Sequence, residues 1–264
     1  MVSGPAPSSR PEAVELSVVI PAHNSARVIE ATVDAFVEYL SGSTAEIIVV
    51  ENGSTDSTAE ICARLEAGWT HPAVALHVLT SDKGMGNALR LGVEQSRGDR
   101  VLLTADDLPF GFDDLDAAAQ LASETGAAPL VAIGSKAHPE SAVERGMLRG
   151  VMTFGFTSLR RIVLGTRTRD PQGTFIVDGT LLRAVAPQLI EPGFLFTTEL
   201  DYAVELAGVR PVELPVRLSE SHRSEPSRVA FVDVVKMARG LLSLRGRRHE
   251  LLAAARAGRQ AVDA

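Results

Sequence analysis

The stretch LSVVIPAHNSARVIEATVDAFVEYLSGSTAEIIVVENGS, residues 16–54, decides the fold. Its two ends, LSVVIPA (16–22) and EIIVVENGS (46–54), carry continuous β-branched runs, stopped by Pro21 and by Asn52-Gly53. A run that is apolar at nearly every position has no solvent face, so it suits a parallel strand covered by helices on both sides. Between the runs, Val28, Ile29, Val33, Phe36, Val37 and Leu40 recur at helical spacing, with Ser25 placed to cap. The spacing predicts a β-α-β unit with its helix over 25–40.

The alternation continues. Residues 54–67 read as a capped helix, 74–80 as a strand, 86–96 as a helix and 99–105 as a strand. Further on come a helix at 114–125, a strand at 129–135, a helical stretch at 147–165, a helix in FLFTTELDYAVELAG (194–208) and a strand in RPVELPVRL (210–218). This order predicts an α/β fold, a single Rossmann-like domain over 15–228 with a mostly parallel, doubly wound sheet. A disordered Pro-, Ser- and Ala-rich leader (1–14) is expected before it and a C-terminal basic helical segment (229–264) after it.

Composition narrows the function. With 264 residues, 45% of them apolar, the chain can bury a sizeable core. A net charge of −7 argues against nucleic acid as a partner, because phosphate binding needs a basic face. The single cysteine, Cys62, excludes an intrachain disulfide and a Cys-built metal site, and a reducing, cytoplasmic setting is expected. No apolar run reaches the roughly 18–20 residues that span a bilayer, and the first residues have no apolar signal core. No G-x-G-x-x-G follows the first strand, which argues against a dinucleotide-dependent oxidoreductase.

Every chemically suggestive loop falls at the carboxyl end of a predicted strand: PAHNSA, ENGSTDST, SDKGMGNA and ADDLPF. In an open α/β sheet such loops share one crevice. Ser and Asp in ENGSTDST serve equally well as helix caps. Lys83 with Gly84 and Gly86, just before a helix, suits a diphosphate or ribose. Adjacent carboxylates at Asp106 and Asp107 repel one another, and a hard divalent cation with open positions for phosphate oxygens relieves them. The alternative is a solvated Asp106 beside the cap of a helix starting near Asp113.

The order VVIPAHN, IIVVENGSTDST, DKGMGNALRLG and VLLTADDL resembles the nucleotide-sugar-binding half of the GT-A fold glycosyltransferases of family 2. GSKAH (134–138), RDPQGTF (169–175), TELDYAVELAG (198–208) and VELPVRL (212–218) follow in the order used by its dolichyl/polyprenyl-phosphate glucosyltransferase and mannose synthase branch, over roughly 16–245. The resemblance implies an inverting, metal-dependent transfer of a sugar from a UDP- or GDP-sugar, with Mg2+ or Mn2+ as cofactor. On it, Pro21, Ala22 and Asn24 border the base with Glu51 and Asn52, and His23 packs nearby. Lys83, Gly84 and Gly86 lie against ribose and diphosphate. Asp107 holds the metal as the last carboxylate of an Asp-X-Asp signature, and Asp106 supports it or contacts the donor. Two positions depart from the family: Ala105 stands where the signature begins, and Glu51-Asn52 where an acidic pair is usual.

Acceptor chemistry divides the remaining candidates. A lipid phosphate is already an anion and needs cations; a hydroxyl or weakly basic amine needs a carboxylate base. Arg217, His222, Arg223 and Arg228 could clamp a phosphate, or form an exposed charged loop. Glu199 and Asp201 could supply a catalytic base, or lie on a solvated helix face; Glu199 matches the family's acidic position. Arg169, Asp170 and Gln172 match a motif facing donor sugar or acceptor, although Pro171-Gln172-Gly173 is also a plain turn. The tail, with Lys236, Arg239, Arg245, Arg247 and Arg248 beside an apolar side, suits an interfacial helix at the inner membrane face, or a core-packing or homodimer helix. Polyprenyl phosphate is the favoured acceptor on the resemblance. The alternatives are a soluble or carrier-bound amine or hydroxyl in bacterial natural-product biosynthesis, and a non-catalytic nucleotide-sugar-binding protein.

Overall fold

The computed structural model describes residues 13–141, 147–218 and 231–264. The first half runs β1 (Leu16–Ala22), α1 (Ile29–Tyr39), β2 (Ala45–Glu51), α2 (Thr58–Ala67), β3 (Val74–Thr80), α3 (Met85–Gln95), β4 (Arg100–Leu103) and α4 (Asp113–Thr125). The second half runs β5 (Val131–Ser135), α5 (Met147–Leu164), β6 (Thr174–Asp178), α6 (Gly179–Val185), α7 (Phe196–Leu206), β7 (Val212–Pro215), α8 (Phe231–Gly246) and α9 (Arg248–Val262). β6 and α6 add to the elements read from the sequence.

The strands form one seven-stranded sheet in the order β3-β2-β1-β4-β6-β5-β7. β1 pairs in parallel with both β2 and β4, β2 with β3, and β5 with β7. β6 runs antiparallel to β4 and β5, so it alone reverses the sheet. Chain order turns back between β1 and β4, which places the topological switch point, and its ligand crevice, at the carboxyl ends of those two strands.

The apolar runs of β1 and β2 are buried on both faces, as continuous runs require. Val18, Ile20, Ile47 and Val49 meet Ile29, Val33, Phe36 and Leu40 of α1 and Cys62 of α2 on one face. Val19, Ile48 and Val50 face the opposite cluster, with Ala88, Leu89 and Val93 of α3 and the buried residues of α6 and α7. The C-terminal segment joins that second cluster through Leu241, Leu244, Leu251 and Ala255. Helix α1 is shorter than expected, starting at Ile29 with Val28 as its N-cap residue. Ser25 does not cap through its side chain; its carbonyl accepts from Val28 and Ile29, and its hydroxyl is used elsewhere.

At the opposite edge of the sheet, Glu46 is fully buried in β2. It accepts hydrogen bonds from Ser17 Oγ (2.6 Å), the Arg97 amide (2.7 Å) and Arg97 Nη2 (2.8 Å). Burial alone would raise its pKa, but the hydrogen bonds from Ser17 and Arg97 outweigh that and hold it below its ordinary 4.5. A carboxyl lowered by folding adds stability above its unfolded pKa and loses it as pH falls through the folded one. Glu46→Gln is therefore expected to flatten the loss of stability below about pH 4.5, measured by urea midpoints across about pH 3–6.

Candidate active site

Four strand-end loops meet at the switch point through their own hydrogen bonds. The Asn52 amide donates to the Ala22 carbonyl (3.0 Å) and the Ser81 amide to the Glu51 carbonyl (2.9 Å), so the ends of β1, β2 and β3 stay in step. Asn24 exchanges bonds with the second loop: its amide donates to Ser54 Oγ (3.1 Å), and its Oδ1 accepts from the Thr55 amide (2.8 Å). The Ser25 amide donates to Thr58 Oγ1 at 2.7 Å, and Asp56 accepts from the amides of Ala26 and Thr58. The crevice itself is crossed by Ser25, whose hydroxyl donates to the Asp106 carboxylate, while Thr32 Oγ1 donates to the Asp106 carbonyl at 2.7 Å. Asn24 (φ 55°) and Leu108 (φ 46°), in the loops after β1 and β4, are the non-glycine residues with positive φ among the described residues.

Within this frame the candidate donor residues separate into surface and brace. Pro21 and Ala22 end β1, and Glu51 ends β2. The Glu51 carboxylate is nearly buried and accepts from the Ser54 amide at 2.5 Å, so one of its oxygens shapes its own turn. Asn52 is buried beside it. The Nδ1 of His23 is buried with no hydrogen-bond partner, leaving one polar atom at the crevice wall unsatisfied. Lys83 is exposed, and its Cβ lies 3.3 Å from where a Cβ on Gly53 would stand, which joins the second and third loops. Asp106 is tied to Ser25, whereas Asp107 sits next to it, half-buried, on the turn beyond β4.

Gly84 and Gly86 have a cause the sequence did not show. A Cβ on Gly84 would stand 2.2 Å from the Pro192 carbonyl oxygen, and one on Gly86 would stand 2.0 Å from that of Glu191. The Gly86 amide donates to the Pro192 carbonyl at 2.9 Å. The two glycines admit the chain's own segment around 191–192, which also takes up the first free amide of α3. Both positions need glycine for this close approach of the protein's own backbone.

The acceptor-side candidates lie along a second set of loops. Lys136 Nζ lies 5.5 Å from the centroid of the Phe110 ring and 3.9 Å from Asp170. This contact carries the loops after β5 and before β6 to the loop after β4. Asp170 also accepts from the Lys136 amide (2.9 Å), and the amides of Arg169 and Asp170 donate to Glu213 (both 3.1 Å). The Arg169 side chain is half-exposed, and the Gln172 amide turns back to Asp170 at 3.4 Å. Arg217 does not stand ready for a phosphate: it forms a bidentate bridge to Asp113, with Nε at 3.0 Å and Nη2 at 2.9 Å. His222, Arg223 and Arg228 lie outside the described residues.

Glu199 and Asp201, the two base candidates, are not on a solvated helix face; both are fully buried in α7. Asp201 accepts from Thr168 Oγ1 (2.5 Å) and pairs with Arg160 Nη1 (3.1 Å), itself fully buried. Burial, with Glu205 nearby, pushes Asp201 up to about 7. Arg160 also reaches Thr166 Oγ1 (2.6 Å) and the Thr168 carbonyl, and Glu205 accepts from the amides of Arg167 and Thr168 (both 2.9 Å). These groups fasten the loop leading to Arg169. Glu199 pairs with Arg247 Nη1 (2.5 Å) and accepts from the Glu191 amide (2.9 Å). Burial raises its pKa despite those two contacts.

The family model of glycosyl transferase family 2 matches residues 17–180, well over half of the chain and all four strand-end loops. The chain belongs to glycosyl transferase family 2. This glycosyltransferase is 29% identical to the dolichyl-phosphate β-glucosyltransferase of Saccharomyces cerevisiae, over 89% of this chain and 75% of the yeast protein. It is 31% identical to the Drosophila melanogaster protein of the same name (78% of this chain, 68% of that one). It is likewise 31% identical to glycosyltransferase AglD of Haloferax volcanii, covering 86% of this chain but 36% of the longer relative. Among solved structures it superposes on glucosyl-3-phosphoglycerate synthase from Mycobacterium tuberculosis with a TM-score of 0.61 at 18% identity, covering 89% and 80% of the two chains. That likeness shows the GT-A fold. The synthase has been crystallised with Mn2+ and UDP-glucose.

Arg160, Thr168, Glu205 and Glu213 had no signal in the sequence, because each acts on a partner from another element; Arg247, read there as one of the basic residues of an interfacial tail, is instead mostly buried against Glu199. Removing one member of a buried pair strands the other charge. Asp201→Ala is expected to cost about 3–5 kcal/mol, and Asp201→Asn less, since an amide still hydrogen-bonds Thr168. Chemical denaturation of the three proteins measures both.

Proposed function

We propose that this glycosyltransferase is inverting and metal-dependent, and moves a sugar from a UDP- or GDP-sugar to a polyprenyl phosphate. The observation that carries the acceptor is the burial of Glu199 and Asp201, each engaged by an arginine inside the protein. Neither is offered as a base, and an anionic acceptor needs none. The names of the dolichyl-phosphate relatives support the same choice.

In the reaction a phosphate oxygen of the acceptor attacks the anomeric carbon on the face opposite the diphosphate. The new C–O bond forms as the old one breaks, and the electron pair leaves with the nucleoside diphosphate. Asn24, Asn52 and the end of β1 receive the nucleotide, Lys83 stands beside the diphosphate, and Lys136 and Arg169 offer charge on the acceptor side. Asp107 is the residue to hold a divalent ion. The described residues contain no group of three His, Cys, Asp or Glu able to hold an ion. The hard carboxylate oxygen of Asp107 suits Mg2+ or Mn2+ and would hold it there, while Ala105 offers no second carboxylate. Such an ion supplies positive charge to the departing diphosphate.

Access to a lipid has support at the surface. No helix among the described residues is long and apolar enough to cross a membrane. Ile162 of α5 is 78% exposed and Leu242 of α8 63%, with Arg161, Arg239 and Arg245 exposed on the same two helices. Apolar side chains beside arginines suit peripheral contact with an anionic bilayer.

The test is transfer of labelled sugar from UDP-glucose and GDP-mannose to a short-chain polyprenyl phosphate, with Mg2+ or with chelator. Chelation is expected to abolish transfer, and Asp107→Ala to lower it on the order of 100-fold or more. Asp106→Ala, which loosens the bond to Ser25, is expected to cost less. Transfer to a soluble alcohol or amine with none to the lipid phosphate overturns the acceptor assignment.

A further inference from the structure

The segment around 188–192 lies on the donor loop, and its hold is double. From α3, the Gly86 amide donates to the Pro192 carbonyl at 2.9 Å and Arg90 Nη1 to the Leu189 carbonyl at 3.1 Å. From the other side comes Arg247, at the junction of α8 and α9. Its Nη2 donates to the Gln188 carbonyl at 2.6 Å and its Nη1 to Glu199 at 2.5 Å. The second oxygen of Glu199 takes the Glu191 amide at 2.9 Å. One guanidinium thus holds the segment at Gln188 directly and at Glu191 through Glu199.

The contact beneath leaves no slack. Added Cβ atoms on Gly84 and Gly86 would collide with the carbonyls of Pro192 and Glu191. Gly84, at φ 133°, is the residue directly after Lys83. Any lift of the segment frees the Gly86 amide and lets the turn carrying Lys83 relax. Glu199 is 0% exposed and the Arg247 side chain 17%, so water replaces this pairing poorly.

We propose that Arg247 is a positioning residue for the donor site: through Glu199 and the Gln188 carbonyl it pins the 188–192 segment onto Gly84 and Gly86, and so fixes Lys83 beside the diphosphate. Glu199 of α7 is then part of a brace from the C-terminal helices. This rests on the reading of the Lys83 loop as the diphosphate site.

Two measurements test it on the full chain, with Arg247→Met, Arg247→Lys, Glu199→Gln and the Arg247→Met/Glu199→Gln double variant. The first needs no ligand: hydrogen exchange of peptides covering 83–88 and 186–193. Arg247→Met is expected to speed exchange there while distant strands such as β2 stay protected, and unchanged exchange overturns the brace. The second is calorimetry with UDP and GDP in Mg2+, together with donor KM and kcat. Arg247→Met and Glu199→Gln are each expected to weaken diphosphate binding roughly tenfold, the scale of one charge-assisted hydrogen bond. The double variant should be no weaker than either, because both break one connection. Arg247→Lys should fall between wild type and Met, keeping the pair with Glu199 but losing the fork to Gln188. If Glu199→Gln collapses kcat with diphosphate affinity intact, Glu199 is a base and the proposal fails. A wild-type protein that binds neither nucleotide overturns the donor reading instead, and hydrogen exchange still decides the brace.

Discussion

The parallel pairing of β1 with both β2 and β4 is the constraint from which the rest of the structure follows. Parallel neighbours must be joined by crossovers, so each strand end releases its loop at the same edge of the sheet. Because chain order reverses between β1 and β4, the loops there part and leave a crevice. The Ser25 hydroxyl spans that crevice to Asp106, and Asn24 and Leu108, in the loops after β1 and β4, hold left-handed backbones. The polar loops are therefore held by one another.

Carboxylates do two kinds of work in this glycosyltransferase, and burial separates them. Glu46, Asp114, Glu199 and Asp201 are buried and engaged: by Ser17 and Arg97, by Thr174, by Arg247, and by Arg160 with Thr168. Each fastens elements that lie far apart in the chain. Asp107 is half-buried on the turn after β4, and it is the residue proposed to meet a cation.

Much of the fold was legible because its signals are local. The doubly apolar runs at 16–22 and 46–51 marked strands covered on both faces, and the 3.6-residue spacing of Ile29, Val33 and Phe36 marked the helix that covers them. The crevice loops were legible for the same reason, since strand ends concentrate Asn, Asp, Gly and Ser. The acceptor side was read less well. Arg217 looked like a free cation until Asp113, 104 positions earlier, was found against it. Glu199 and Asp201 read as a catalytic base or as a solvated helix face, and nothing nearby in sequence announces Arg160 or Arg247 as their partners.

By itself the sequence determined the strand and helix alternation and the polar loops at the strand ends, and through its resemblance the glycosyltransferase family, since these rest on short-range periodicity and on motifs that each lie within one loop. Only the tertiary structure decided which of the charged residues pair with one another. It also decided why Gly84 and Gly86 must be small: the backbone at Glu191 and Pro192 approaches them from more than 100 residues away. Pairings of this kind depend on which chain segments the sheet brings to the same edge, and a carboxylate carries no mark of its partner until the fold supplies one.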